Sequence, residues 1–452
     1  MSNPADQTSF DDRVGRATPT DATSTAIATA TGSRAPRRRP TSLTPPPYLT
    51  RLPLVVLFIA AVLLALRLTG FALDHARDRY LLDVGVFRDA GDAFLRDLPL
   101  YGPDFPSRSG FAFIYPPVAA LLFVPLTWMS EEVMEAVWTV ASVVAAWGVL
   151  AMAARRLGIR WAPVAAVGLL GPALALEPVR SHLMYGQVNI FLILLVTADV
   201  LRFTPRWLRG VGVGVAAGIK ITPAAYAIVF LARRDWAGLA RSVVAFLATA
   251  VVGAVTAPGQ SWFFWTSEFF ASDRAGQPDY PLNQALTGLL ARTGMGGEVA
   301  GRIMIVGLVV FAVCAVWAAV QFTRVDRPVT VLFMTVLAVS VSAPVAVTHH
   351  WCGIIVAVPL VLRTRDGLTF VAAALVIAAN LVAPYTVYDA SLPHFTFSAP
   401  QWFLGNLQGL AGLVAFVLLM VAARRVGGSR RRPGRVGPSG TTPPAAGVRA
   451  AV

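Results

Sequence analysis

Charge is the first thing in short supply. Of 452 residues, 14% are charged and 56% are hydrophobic. A soluble domain carries about 25% charged residues, so composition argues against a soluble enzyme or binding module. The mean hydropathy of +0.63 points the same way. Cysteine is scarcer still. Cys314 and Cys352 are the only two, both in or beside apolar segments, which argues against a disulfide framework and a zinc site. No short period recurs, so a repeat array is not indicated. A soluble catalytic domain is missing as well: the longest polar stretches between apolar runs, 74–111 and 258–300, are about 40 residues each.

What the chain has in abundance is apolar runs of 16 to 22 residues with almost no charge. Such a run crosses a hydrocarbon core of roughly 30 Å as a helix. The candidate segments are 54–73, 112–129, 133–154, 161–176, 188–202, 210–232, 239–257, 301–322, 329–347, 351–362, 367–384 and 405–423. The expected fold is therefore an all-α polytopic membrane protein with about 12 transmembrane or partly spanning helices and extracytoplasmic loops. Two of these segments are irregular. Segment 351–362 is short for a full crossing. Segment 210–232 is interrupted at Gly218-Ile219-Lys220-Ile221-Thr222-Pro223 and is basic at both ends, which reads as two half-helices that enter and leave on one side.

The net charge of +14 would suggest nucleic acid if it were spread over a surface. It is not, and no nucleic-acid partner is expected. Arginines cluster at 37–51, 155–160, 202–209, 233–234, 324–327, 363–365 and 424–432, in the tails and in short loops between apolar runs. That is the positive-inside pattern. Placing every cluster in the cytoplasm requires one segment not to cross. The best candidate is 112–129, because Tyr115-Pro116-Pro117 removes two backbone donors at its start. Four polar regions then share the opposite face: 74–111, 177–187, 258–300 and the His349-His350 turn, joined by 385–404. Three domains follow. Residues 1–53, rich in Ser, Thr, Ala and Pro, form a disordered basic cytoplasmic tail; 54–423 form the transmembrane catalytic domain; 424–452 form a second such tail. The first apolar run is too long for a signal peptide and is expected to stay as an anchor.

Several polar residues on the outer face are candidates for chemistry. In the first loop, apolar positions 82, 86, 90 and 94 recur at helical spacing, which predicts an amphipathic helix along the interface. Asp83 stands at its start, as a general base for a hydroxyl or as a helix cap. Asp89 and Asp92 are its rivals; on a straight helix Asp89 projects about 240° away from Asp83. Glu177, Arg180, Gln187 and Asn189 gather at one junction, either as a site or as an ordinary polar loop with a Glu–Arg pair. Lys220 lies inside an apolar run, where a cation is costly and points to function unless it snorkels to the interface. His349 and His350 are sequence neighbours and point in different directions, so they suit hydrogen bonding to a phosphate or sugar better than chelation. No metal or cofactor is expected. Asn283-Gln284 in the 258–300 stretch is a weak signal by itself.

Taken in order, these segments resemble glycosyltransferase family 87, the polyprenyl-phosphate-mannose-dependent alpha-mannosyltransferases of actinobacteria, which have the GT-C fold. The matching stretches are Asp83-Val84-Gly85-Val86-Phe87 with Leu100-Tyr101, Phe113-Ile114-Tyr115-Pro116-Pro117, Glu177-Pro178-Val179 with Gly186-Gln187-Val188-Asn189, Gly218-Ile219-Lys220-Ile221-Thr222-Pro223, Asn283-Gln284 and His349-His350-Trp351. The chain departs from the family at Phe87, where Tyr is frequent, and at 342–346, where a Ser-Pro-Ile-Ser-Trp type of run is common. The resemblance implies inverting transfer from a polyprenyl-phosphate-mannose donor, within the membrane lipids, to a glycolipid or glycan acceptor. It implies Asp83 as the base. It implies Lys220, Arg180, His349 and His350 as groups for the leaving phosphate. Asp89, Tyr115, Glu177, Gln187, Asn189, Asn283 and Gln284 would be acceptor or sugar contacts. The alternative class, a transporter or lipid-carrier flippase, also uses broken helices and buried charge, but the inverted repeat expected of it is not visible in this sequence.

Overall fold

The computed structural model describes residues 47–271, 276–295, 297–388 and 397–429. The chain divides into two units, Met1–Arg51 and Leu52–Val452. Most of the first unit, like most of the expected C-terminal tail and residues 389–396 of the outer region, lies outside the described residues. The helices are α1 (Pro47–Asp78), α2 (Leu82–Leu95), α3 (Pro117–Phe123), α4 (Glu131–Arg156), α5 (Ala162–Leu174), α6 (Glu177–Tyr185), α7 (Asn189–Val200), α8 (Val211–Ile219) and α9 (Ile228–Arg233). They continue with α10 (Trp236–Thr256), α11 (Pro258–Thr266), α12 (Leu286–Ala291), α13 (Gly297–Thr323), α14 (Pro328–Ser342), α15 (Ala357–Arg363), α16 (Gly367–Val382), α17 (Ala399–Gly405) and α18 (Leu407–Ser429).

Among the described residues, six helices are long and apolar enough to cross a membrane: Leu52–Asp78, Glu131–Arg156, Trp236–Thr256, Val299–Thr323, Gly367–Val387 and Leu407–Gly427. A seventh arises if α5 and α6, bent by 85°, form one broken span. That bend has a local cause: Pro178 stands in the first turn of α6 and Leu176 before it is extended. Shorter apolar helices cover 117–128, 189–200, 222–233 and 328–342, so every expected segment finds helix, though not all at crossing length. Leu57, Leu63 and Leu66 on α1, Val251 and Val255 on α10, and Val306 and Val309 on α13 are exposed. Such stripes would aggregate in water and are at home in hydrocarbon. The protein is an all-α polytopic membrane protein.

Segment 210–232 is a hairpin with Lys220 at its tip. Gly214 and Gly218 on α8 face α10 so closely that a Cβ on either would collide with Ser242 or Thr249; small residues allow this backbone approach. The helix stops at Ile219, Lys220 is extended (φ −146°, ψ 127°), and a 3-10 turn over Thr222–Ala227 leads back into α9. The two feet of the hairpin meet. Arg209 pairs with Asp235 at 4.0 Å, and Arg241 Nε donates to the Arg209 carbonyl at 2.7 Å.

The basic loops gather at the same end. Arg156 donates through Nε to the Leu201 carbonyl, and through Nη2 to that of Arg202 at 3.1 Å. Arg233 reaches the Val200 carbonyl at 2.7 Å, and Arg363 that of Leu157 at 3.5 Å. Arg327 shares a small cavity with Arg156, Arg202 and Arg233. Five of the seven clusters recognised in the sequence thus lie at one end of the bundle, as the charge pattern requires.

The candidate active site

The first-loop helix exists as α2, but it is buried in protein rather than laid along an interface. Val84, Val86, Phe87, Asp89, Ala90 and Ala93 are all buried. Its start is pinned by Glu135 of α4, which accepts the Leu81 N–H at 2.8 Å. Opposite it, α6 ends in Gly186, whose φ of +69° only glycine adopts freely. A Cβ there would also strike Val84 Cγ1 at 2.7 Å. This glycine turn brings Gln187 to α2, close enough for its amide to favour the ionised Asp83 carboxylate.

Around these two residues, five segments of the chain converge. Lys220 Nζ donates to Asn189 Oδ1 at 2.9 Å and lies 3.2 Å from His350 Nε2, which accepts when the ring proton is on Nδ1. It also lies 3.5 Å from Tyr115 Oη and 5.3 Å from the centre of that ring, a cation–π arrangement. Tyr115 Oη and Asn189 Nδ2 both approach Gln187 Oε1, at 3.5 and 3.4 Å. Lys220 therefore does not snorkel outward; it is held at the tip of its hairpin inside a polar cluster. Burial pushes the Asp83 carboxyl up to about 6, against the Gln187 hydrogen bond and the Lys220 charge, which both pull it down. Burial and the neighbouring Asp83 push the Tyr115 phenol well above its ordinary value, so it stays a hydroxyl.

The two histidines part as expected. His350 faces Lys220, while His349 packs on Tyr185 with ring centres 5.4 Å apart and lies 3.5 Å from Ser181 Oγ through Nδ1. Among the described residues no group of three His, Cys, Asp or Glu is placed to hold a metal ion.

The cluster is sunk into the bundle. α7 starts in it at Asn189 and reaches the arginine end after 12 residues, about 18 Å at 1.5 Å per residue. α4, with 26 residues, is about 39 Å long. The site therefore lies near mid-length and not at the surface. A cavity of about 1000 Å³ connects it to the flank of the bundle. Lys220, His350 and Tyr115 stand at its inner end, and Met304 and Ile305 of α13 form part of its wall. Ile305 is itself 60% exposed on the lipid-facing side, so the cavity joins a cationic head to an apolar flank.

Other sequence candidates lie elsewhere. Asp89 is spent on Arg108, which reaches it through Nε at 2.9 Å and through the backbone N–H at 3.0 Å, and which also binds Glu131 at 2.8 Å. Asp89 thus ties down the loop after α2. Glu177 and Arg180 pair with each other at 2.7 Å. Asn283 and Gln284 are fully buried, with their amides on backbone. Asn283 Oδ1 accepts from Ala346 N at 3.0 Å, Gln284 Nε2 donates to the Gly405 carbonyl at 2.8 Å, and Gln284 N donates to the Ala346 carbonyl at 2.9 Å. They hold the strip that carries the histidine pair. Phe87 packs against Tyr115, Phe123 and Trp138 with centres 4.5 to 6.0 Å away; it is a wall of the site.

Sequence reasoning missed two contributors, Trp138 and His182, and gave Tyr101 no role. Tyr101 donates to the Tyr115 carbonyl at 2.7 Å, and Trp138 Nε1 to the Gln187 carbonyl at 3.2 Å. His182 is buried beside the cluster, and neither ring nitrogen has a hydrogen-bond partner. The available signal was the Ser181-His182 step in the polar 177–187 stretch.

The model of glycosyltransferase family 87 matches residues 113–348, which include Tyr115, Gln187, Asn189 and Lys220. A polyprenol-phosphate-mannose-dependent alpha-(1-2)-phosphatidylinositol mannoside mannosyltransferase of Mycolicibacterium smegmatis is 34% identical over 299 residues, 60% of this chain and 67% of the relative. A protein of the same description from Mycobacterium tuberculosis is 28% identical over 403 residues, 83% of this chain and 93% of its own. A phosphatidylinositol pentamannoside mannosyltransferase of Mycobacterium tuberculosis is 31% identical over 352 residues, 75% and 78% of the two chains. No solved structure is a significant match. With the family model covering more than half of the chain, this protein belongs to glycosyltransferase family 87.

Proposed function

We propose that this protein moves mannose from a polyprenyl-phosphate-mannose donor to a phosphatidylinositol-mannoside-type glycolipid, with inversion, on the extracytoplasmic face. The observation that carries this reading is the cavity that joins Lys220 to the apolar flank of α13. A prenyl phosphate has that shape, with a dianionic or monoanionic head on a long hydrocarbon chain. Its phosphate meets Lys220, with His350 and the Tyr115 hydroxyl beside it, and its isoprene units lie toward Met304 and Ile305. Asp83 takes the proton of the acceptor hydroxyl. The hydroxyl oxygen bonds to the anomeric carbon as the bond from that carbon to the phosphate oxygen breaks, and the phosphate leaves with the electron pair. Lys220 stabilises the charge that grows on the departing oxygen. A carboxyl with a pKa raised to about 6 is still ionised at neutral pH and is a stronger base than an ordinary aspartate.

The charge pattern supports the orientation: the arginine end faces the cytoplasm with both termini, and the cavity is lined in part by Gln277, Pro278 and Asp279 of the 258–300 stretch, which the pattern puts outside. The deciding experiment is an in vitro assay with lipid-linked mannose. Asp83→Asn keeps the shape but accepts no proton, and a loss of about 10²–10⁴-fold is expected with normal expression and retained donor binding. Activity within about threefold of the parent, against that scale, removes Asp83 as the base. Direct use of GDP-mannose by the purified protein removes the lipid-linked donor.

A further inference from the structure

The arginine end holds a second cavity, remote from the cluster around Lys220. It has a volume of about 80 Å³ and is lined by Arg156, Arg202, Arg233, Arg327, Asp326 and Thr323, among others. A single water needs about 10–15 Å³ of such space, so there is room for a tetrahedral oxyanion of five heavy atoms.

Four arginines and one aspartate line this space. Part of the cationic content has a local explanation. Arg156 and Arg233 donate to the carbonyls of Val200, Leu201 and Arg202, and so cap the C-terminal end of α7, where cations are favoured. Arg202 and Arg327 have no such duty. Nη1 of Arg327 is buried with no hydrogen-bond partner among the described residues. Two nearby carboxylates are committed elsewhere, and Asp326 in the lining offsets only one of the four arginines. Asp199 accepts from the Thr204 hydroxyl and from the Val213 N–H, and Asp235 pairs with Arg209. Like charges gathered in a recess repel one another, and a buried donor without an acceptor costs free energy. One anion with several acceptor oxygens answers both.

We propose that this cavity is a binding site for a phosphate group, held by Arg202 and Arg327 with Arg156 and Arg233 as the back wall. It lies where the ends of α4, α7, α9 and α13 meet the start of α14, so an occupant ties these helices together. Its position at the end of apolar helices makes it accessible both to a phospholipid headgroup and to a free phosphate.

The test uses the full-length protein in neutral detergent. One arm titrates inorganic phosphate against potassium chloride of equal ionic strength. The other titrates phosphatidylglycerol against phosphatidylcholine, with bound lipid counted by native mass spectrometry. A saturable rise in Tm of about 2 °C is expected in at least one arm, and it disappears in the Arg202→Gln/Arg327→Gln double variant. Arg160→Gln, at the same end but outside the cavity, keeps it. A response to phosphatidylglycerol alone identifies a lipid headgroup, a response to inorganic phosphate alone a free oxyanion, and a response to both the shared chemistry. No response beyond chloride and phosphatidylcholine overturns the proposal, and so does an equal response in the double variant.

Discussion

Two polar clusters, one around Lys220 and one around Arg292 beside Asn283 and Gln284, behave in opposite ways in the fold. Around Lys220, four segments bring a cation, two amides, a phenol and an imidazole together, with separations of 2.9 to 3.5 Å and an open cavity beside them. Around Arg292 the arrangement is closed. This arginine is 2% exposed, and its guanidinium donates to Asn406 Oδ1 and to the carbonyls of Tyr280 and Asn283 at 2.5 to 3.1 Å. Asn283 and Gln284, beside it, are 0% exposed with their amides on backbone. A polar group whose bonds are all made within the chain has nothing left to offer a substrate. A group left with slack next to a cavity has. On the proposed function, access to the cavity and longer hydrogen bonds, more than burial or residue type, separate the machinery from its frame.

That contrast is broken most directly at Lys220. Lys220→Met keeps the length and apolar stem of the side chain and removes the charge. Turnover should fall by about 10²–10³-fold, the scale seen when one donor to a developing oxyanion is removed, with folding intact because the partners Asn189 and His350 still have cavity space for water. Steady-state kinetics with lipid-linked mannose and a thermal melt check the two halves separately. If expression collapses while the specific activity of the surviving fraction stays normal, Lys220 belongs with the frame.

The opposite outcome is expected at Arg292. Arg292→Met leaves three buried acceptors unpaired: Asn406 Oδ1 and the carbonyls of Tyr280 and Asn283. Breaking such a network costs on the order of 3–5 kcal/mol. The folded fraction and Tm should drop sharply, while turnover per folded molecule stays within about threefold of the parent, short of the loss tied to an oxyanion donor. Equal Tm with a large loss of turnover would move Arg292 into the site.

How much of this was legible beforehand follows the same line. Lys220 announced itself because a cation inside an apolar run has few innocent explanations, and the arginine loops fell to one end because membrane insertion sorts positive charge. The Asp83 segment was legible as a helix start. What the local pattern misled on was the company that α2 keeps. Its spacing suggested a surface helix, yet α3, α4 and α6 cover it, through contacts such as Leu81 to Glu135, 54 residues away. Trp138 and His182 were missed because their roles are a bond to backbone, or proximity, across dozens of residues. No residue type betrays a bond of that kind. Asp89 and Asn283 were read as substrate contacts for the converse reason: a polar side chain in a loop says nothing of whether a partner such as Arg108 or Ala346 already holds it.

The smallest effect sharpens the comparison furthest, because it probes the slack itself. Asp83 has a carboxyl pKa raised to about 6 by burial, with the Gln187 hydrogen bond and the Lys220 charge restraining the rise. A base must be ionised, so kcat/KM should fall as pH drops through about 6. Gln187→Leu removes a bond that favours the ionised form. The pKa then rises further, and the acid limb of the profile should move to higher pH by about half a unit to one unit, as expected for the loss of one hydrogen bond to a charged group. Turnover at the plateau should change little, since Gln187 takes no proton and carries no charge. The stability side has a definite sign. Because the folded pKa lies above the ordinary aspartate value, the protonated form favours the fold. That contribution is complete below the ordinary value and is lost as pH rises through about 6. Asp83→Asn should therefore leave Tm unchanged near pH 4 and raise stability above pH 7 by about 1 kcal/mol, below the roughly 3 kcal/mol a two-unit shift allows, because the carboxyl keeps partial contact with solvent. A pH profile of kcat/KM for the parent and Gln187→Leu, run beside thermal melts of Asp83→Asn at both pH values, reads the two signs independently. An acid limb that moves down, or an Asn variant less stable than the parent at high pH, would mean that Asp83 is held as tightly as Arg292 and has no slack to lend to catalysis.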